Sequence, residues 1–104
     1  MSEKSYWVYI LRCSNQSYYT GYTDNLKKRF QDHLDGKGSK YTRSFKPISI
    51  AQSWEIKGDK ARAMQIERRI KKLSKNQKEH LILNPDSLMD VTLLSTNSVD
   101  KPVE

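Results

Sequence analysis

Three side chains in this sequence have the types and spacing to act on a phosphate ester, Arg29, His33 and Glu67, beside six tyrosines, Tyr6, Tyr9, Tyr18, Tyr19, Tyr22 and Tyr41. Leu26, Phe30 and Leu34 recur every fourth position, and at about 100° per residue Arg29 and His33 fall together on one edge of that apolar stripe. A guanidinium there can meet a phosphate at the boundary of core and solvent, while an imidazole one turn further on can accept or relay a proton. Glu67 lies beside Ala63, Ile66 and Ile70, so its carboxylate is half inside an apolar face and requires a cation, either a side chain or a metal. Each residue read singly has a plainer role. Glu67 could pair with Arg29, Arg68 or Lys71, His33 could be a satisfied residue at the core edge, and the tyrosines could be ordinary sheet and core aromatics.

The elements that must position these groups follow from pattern. Residues 6–12 are β-branched and aromatic, 14–17 are turn formers and 18–22 are strand-like again, which predicts a β-hairpin. Tyr9 and Tyr19 share a face only if odd positions oppose odd ones; pairing Cys13 with Tyr19 across a five-residue loop does this, and pairing Cys13 with Tyr18 does not. Thr23 or Asp24 is expected to cap a helix that runs to Leu34, lies on the sheet and stops at Gly36. Residues 36–43 read as an exposed, glycine-punctuated basic loop, and residues 48–56, after Pro47, as a third strand. A second helix is expected over residues 59–73 and a short third over 75–83. The fold class is α+β, a three-stranded antiparallel sheet flanked by about three helices. Residues 1–83 form the domain, and 84–104 form an acidic, loosely held tail.

Composition narrows the function. A chain of 104 residues with 36% hydrophobic and 30% charged content has room for one small core. No stretch approaches the roughly 18 apolar residues that span a bilayer, so no membrane association is expected. The single cysteine, Cys13, cannot form an internal disulfide and suits a reducing cytoplasm. The net charge is +7, but the last 21 residues carry four acidic groups and one lysine, leaving 18 Lys and Arg against 8 Asp and Glu in residues 1–83. Such a field attracts polyanions, nucleic acid above all, although charge alone also fits a merely soluble basic surface.

In order and spacing, residues 7–43 resemble the GIY-YIG nuclease family. Trp7-Val8-Tyr9 stands where that family has Gly-Ile-Tyr, and Tyr19-Thr20-Gly21 where it has Tyr-Ile-Gly; the helix arginine matches Arg29, the histidine one turn on His33, and the metal-binding glutamate Glu67. The likeness extends over residues 6–83, and the stretches 40–43 and 66–73 are most like small stand-alone bacterial members. Trp7 departs from the first motif glycine, and either Asn76 or Asn84 could correspond to an asparagine that some members place beyond the glutamate.

The resemblance implies hydrolysis of DNA phosphodiester bonds, in DNA repair or recombination, with one divalent cation, Mg²⁺ or Mn²⁺, on Glu67. Arg29 would neutralise the phosphate, and Tyr9 would activate water with His33 as relay, Tyr19 being the alternative base. Lys37, Lys40, Tyr41, Arg43, Arg69 and Lys72 are the expected nucleic-acid contacts, DNA being the expected partner and RNA an alternative. A non-cutting binding module of the same fold is the competing reading, and the sequence leaves the oligomeric state open.

Overall fold

A computed structural model describes residues 4–88. Strands β1 (Ser5–Cys13), β2 (Tyr18–Thr23) and β3 (Pro47–Lys57) form one antiparallel sheet in the order β2-β1-β3. Helices α1 (Leu26–Leu34) and α2 (Lys40–Ser44) follow the hairpin, and α3 (Lys60–Lys71), α4 (Lys75–Leu83) and a 3₁₀ turn (Pro85–Ser87) follow β3. No helix among the described residues is long and apolar enough to cross a membrane.

The strand with a neighbour on each side is β1, and it is buried on both faces. Its even residues Val8 and Ile10 pack with Ile56, Ala63, Ile66, Ile70, Leu73, Leu81 and Leu88 in the main core, and its odd residues Tyr9, Leu11 and Cys13 are buried on the other face. The hairpin closes where Cys13 N donates to Ser17 O and Gln16 N to Cys13 O, both at 2.9 Å. Gln16 has φ 67°, the left-handed residue that such a three-residue turn uses. The turn is two residues tighter than the expected Cys13–Tyr19 closure, yet it keeps the parity: Tyr9 opposes Gly21 and Leu11 opposes Tyr19, so odd faces odd.

Several expectations are corrected. Asn25, rather than Thr23 or Asp24, caps α1 by accepting from Lys28 N; Thr23 Oγ1 instead accepts from Asn25 N at 3.1 Å and shapes the approach. The stripe of Leu26, Phe30 and Leu34 is only half-buried, and the residue that α1 buries completely is His33. Residues 36–43 are not a loop throughout, because Ser39 accepts from Thr42 N and starts α2, whose Thr42 is wholly buried. The fold also continues past Leu83. Trp54 Nε1 donates to Pro85 O at 3.0 Å, Gln52 Nε2 to Ile82 O at 3.1 Å, and Leu88 enters the core. The rest of the expected tail, residues 89–104, lies outside the described residues. Helix α4 spans the expected residues, opened by a reciprocal capping box between Ser74 and Gln77.

One buried group is left unsatisfied among the described residues, the Thr20 hydroxyl on β2. Dehydrating a hydroxyl without a partner is unfavourable, and a methyl of the same size avoids that cost. Thr20→Val is therefore expected to raise stability by about 1 kcal/mol, read as a higher urea midpoint at unchanged m-value.

Candidate functional site

The site is built around a chain of three hydrogen bonds that ties β1 to both helices of the hairpin side. Tyr9 Oη lies 2.9 Å from His33 Nε2, His33 Nδ1 lies 2.8 Å from Thr42 Oγ1, and Thr42 Oγ1 lies 2.9 Å from Ser39 Oγ. Burial pushes the Tyr9 hydroxyl up to about 12, opposed by a hydrogen bond from Arg29 and reinforced by Tyr19 and Glu67. Burial also holds His33 below its ordinary value, with Arg29 adding to the effect and Asp32 opposing it. At neutral pH the pair is thus phenol and neutral imidazole. When Nε2 accepts from Tyr9 O–H, the tautomeric proton stands on Nδ1 and is donated to Thr42.

Two glycines make room for this chain. A Cβ on Gly21 would lie 2.5 Å from Tyr9 Oη, and one on Gly38 would lie 2.0 Å from His33 Nδ1. Tyr9 therefore passes over Gly21 of the edge strand β2, and the backbone at Gly38 lies against the imidazole. The Gly38 carbonyl also accepts from Arg29 Nη2 at 3.1 Å, which anchors the guanidinium beside the tyrosine.

Tyr19, half-buried, meets His33 edge-on with ring centroids 5.3 Å apart and stacks on Tyr41 at 6.0 Å. Tyr41 continues to Phe45 at 5.3 Å, and its hydroxyl bonds to Ser17 and Asn15 at the hairpin turn. Glu67 approaches from α3, which packs against β1 and β2, and it is near enough for its charge to act on the Tyr9 hydroxyl. Its carboxylate side chain, 15% exposed, pairs with Lys71 Nζ at 3.2 Å. Of the plainer roles weighed for Glu67, the pairing with Lys71 is the one observed.

Tyr9, Tyr19, Arg29 and His33 thus gather at one corner, and Glu67 on α3 reaches Tyr9 through its charge. Of the expected nucleic-acid contacts, Lys40, Tyr41 and Arg43 lie on α2 at its rim, and Lys37 is exposed in the short segment leading to it. Arg69 and Lys72 are different: they stand about 200° and 140° round α3 from Glu67, off the side that carries its carboxylate. Sequence reasoning missed Gly38, Ser39 and Thr42, which hold His33, and half-buried Lys78, on which the charges of Tyr41 and Lys71 act. The spacing of Ser39 and Thr42, a cap and its third residue, was the available signal.

No group of three or more His, Cys, Asp or Glu residues gathers among the described residues, so a cation near Glu67 would have at most two such protein ligands. That donor set fits a hard cation that keeps most of its water, and does not fit zinc.

Gly21→Ala and Gly38→Ala should each break the Tyr9–His33 pair, costing more than the roughly 1 kcal/mol of an ordinary glycine exchange and moving the His33 ring resonances in NMR. A lowered histidine pKa also sets a sign for stability. The folded protein resists protonation at His33, so stability is complete above about pH 6.5 and falls as pH drops from there to the folded-state value. Denaturation at a series of pH values should show that slope in the wild type and a shallower one in His33→Gln.

The model of the GIY-YIG catalytic domain matches residues 5–80. A UPF0213 protein of Bacillus velezensis is 44% identical over 84 residues, covering 79% of this chain and 82% of its own. One from Oceanobacillus iheyensis is 48% identical over 80 residues, covering 77% of this chain and 92% of its own. The solution NMR structure of the UPF0213 protein BH0048 from Bacillus halodurans is 41% identical, with a TM-score of 0.49, covering 75% of this chain and 82% of that one. The chain belongs to the GIY-YIG catalytic domain family.

Proposed function

We propose that this domain hydrolyses phosphodiester bonds in DNA, using one divalent cation held by Glu67. Family membership gives the nuclease-like character, and the observation that carries the reading is the approach of Arg29 and Glu67, from different elements, to a tyrosine already hydrogen-bonded to a neutral histidine. In this reading Arg29, held by Gly38 O, faces the phosphate and offsets the charge that grows on it. Tyr9 orients the attacking water. As the water oxygen bonds to phosphorus, its proton passes to the Tyr9 oxygen while the Tyr9 proton moves to His33 Nε2. The bond from phosphorus to the leaving oxygen breaks, and that oxygen takes a proton from solvent. The imidazolium formed keeps its Nδ1–H on Thr42. Relay through His33 suits a tyrosine whose hydroxyl sits at about 12, because a free phenolate would be scarce at neutral pH.

Mg²⁺ or Mn²⁺ bound at Glu67 would supply positive charge against the phosphate and acidify coordinated water. Lys71 would then release Glu67 and be left facing the substrate. Lys40, Tyr41 and Arg43 form the rim along which the DNA backbone is read, with shape rather than base sequence as the main determinant.

Supercoiled plasmid and branched or single-stranded oligonucleotides, incubated with Mg²⁺, Mn²⁺ or EDTA, test this reading. Metal-dependent cutting is expected, abolished in Glu67→Ala and Arg29→Ala with binding retained, and reduced about 10²- to 10⁴-fold in Tyr9→Phe. If the wild type cuts nothing and binds as well as the variants, the domain is a binding module. The rate should fall with acid only below about pH 6.5, because His33 must be neutral to accept the proton.

A further inference from the structure

Next to the corner that holds Tyr9, and sharing Arg29 with it, is a concavity of about 560 Å³, opening between the N-terminal turns of α1 and α3. Lys4, Lys28, Arg29 and Lys60 line it, against the carboxylates Asp24 and Asp32, so positive charge prevails. Lys4 pairs with Asp24 at 3.1 Å and Lys28 with Asp32 at 3.3 Å, both at exposed positions where such pairs exchange readily for another anion. Lys60 is exposed and has no carboxylate partner among the described residues. Arg29 is a shared wall. Its guanidinium donates to Gly38 O beside Tyr9 and also stands 4.0 Å from Asp32.

The remaining wall is aromatic. Tyr6 and Tyr22 lie diagonally across β1 and β2 on the even face, both half-buried, and Lys4 Nζ sits 5.6 Å from the centroid of the Tyr6 ring. The exposed Lys4 ammonium covers that face of Tyr6 and swings aside when a base lies on it. Inorganic phosphate would leave both rings unused, and an acidic peptide side chain would not fill a volume of this size. A planar base joined to a phosphate matches the lysines, the rings and the volume together.

We propose that this concavity is a nucleotide subsite, which takes a nucleotide of the strand being cut next to the bond that Arg29 engages. Its phosphate lies on Lys28 and Lys60, and its base lies against Tyr6 and Tyr22. Lys28 and Arg29 are consecutive on α1, so one turn of helix serves two points along the strand. The position of the strand rests on the phosphodiester reading above; the affinity of the concavity for a nucleotide does not.

The two can be tested apart. Amide NMR of the full chain, titrated in EDTA with thymidine 5′-monophosphate and separately with inorganic phosphate, reports binding without cleavage. The monophosphate should shift Tyr6, Tyr22, Lys28 and Lys60 and bind more tightly than phosphate. Tyr6→Leu should weaken it about fivefold or more while Tyr6→Phe keeps it, and Lys60→Glu should reduce the salt dependence of oligonucleotide binding by about one phosphate contact. These shifts in a wild type that cuts no DNA would uphold the subsite and remove only the nuclease reading. Monophosphate shifts confined to α2 would overturn the subsite, as would cleavage with unchanged KM in both Tyr6→Leu and Lys60→Glu. Equal binding of phosphate and monophosphate, indifferent to Tyr6, would reduce it to an adventitious anion site and overturn it too.

Discussion

The hydrogen bond between Tyr9 and His33 is the contact on which the rest of this small fold depends. It is buried, it joins the middle strand of the sheet to α1, and its second half joins α1 to α2 through Thr42. A polar pair in an interior is tolerable only when its donors and acceptors are matched, and here each ring nitrogen has a partner. The consequences spread outward. Odd must face odd in the hairpin, glycine must stand at 21 and 38, and α2 must exist to bring Thr42 inward. The half-buried seat of Leu26, Phe30 and Leu34 is the counterpart of this arrangement, because α1 is held by its histidine more than by its apolar stripe.

Much of this was legible from local pattern. Three strands and helices α1 and α3 announce themselves by alternation and by helical spacing, and Asp59 and Ser74 mark the starts of α3 and α4 by residue type. What pattern could not show was tertiary. Nothing local distinguishes Asn25 from Thr23 as a cap, since both carry the needed oxygen; the winner is set by how the chain leaves β2. Residues 36–43 carry glycines and charges, the composition of a loop, and helix α2 is too short for periodicity to be seen. Its burial comes from one threonine reaching a histidine ring nine residues earlier. The same limit applied at the far end, where Pro85 and Leu88 look like tail until Trp54 and the core are seen to hold them.

At the candidate site, Tyr9, Tyr19, Arg29 and His33 of the five residues given by the family resemblance come together, with Glu67 acting on Tyr9 by its charge, whereas the basic residues divide. Arg69 and Lys72 belong to another side of α3, while Lys71, weighed from the sequence beside Arg29 and Arg68, is the partner of Glu67. Helical phase, which a sequence does contain, separates them; what it lacks is the knowledge of which phase faces the sheet. The departure at Trp7 also becomes intelligible. Its ring shares an apolar groove with Leu26, Phe30, Leu34 and Ile50, so the first motif position carries no steric demand of the kind that Gly21 meets.

Tyr9 is rooted in the strand that is hydrogen-bonded on both sides, yet its hydroxyl emerges over the edge strand. Edge strands and five-residue helices fray early, whereas a central strand opens only with the whole molecule. Tyr9 is thus insulated from local breathing, while the exposed side chains of Lys40, Tyr41 and Arg43 on α2 are freer to adapt around it. In amide exchange the two would belong to different classes: slow, globally limited protection at Tyr9, and faster local opening at Tyr41. A domain this small can in that way keep a rigid tyrosine–histidine pair beneath a compliant surface.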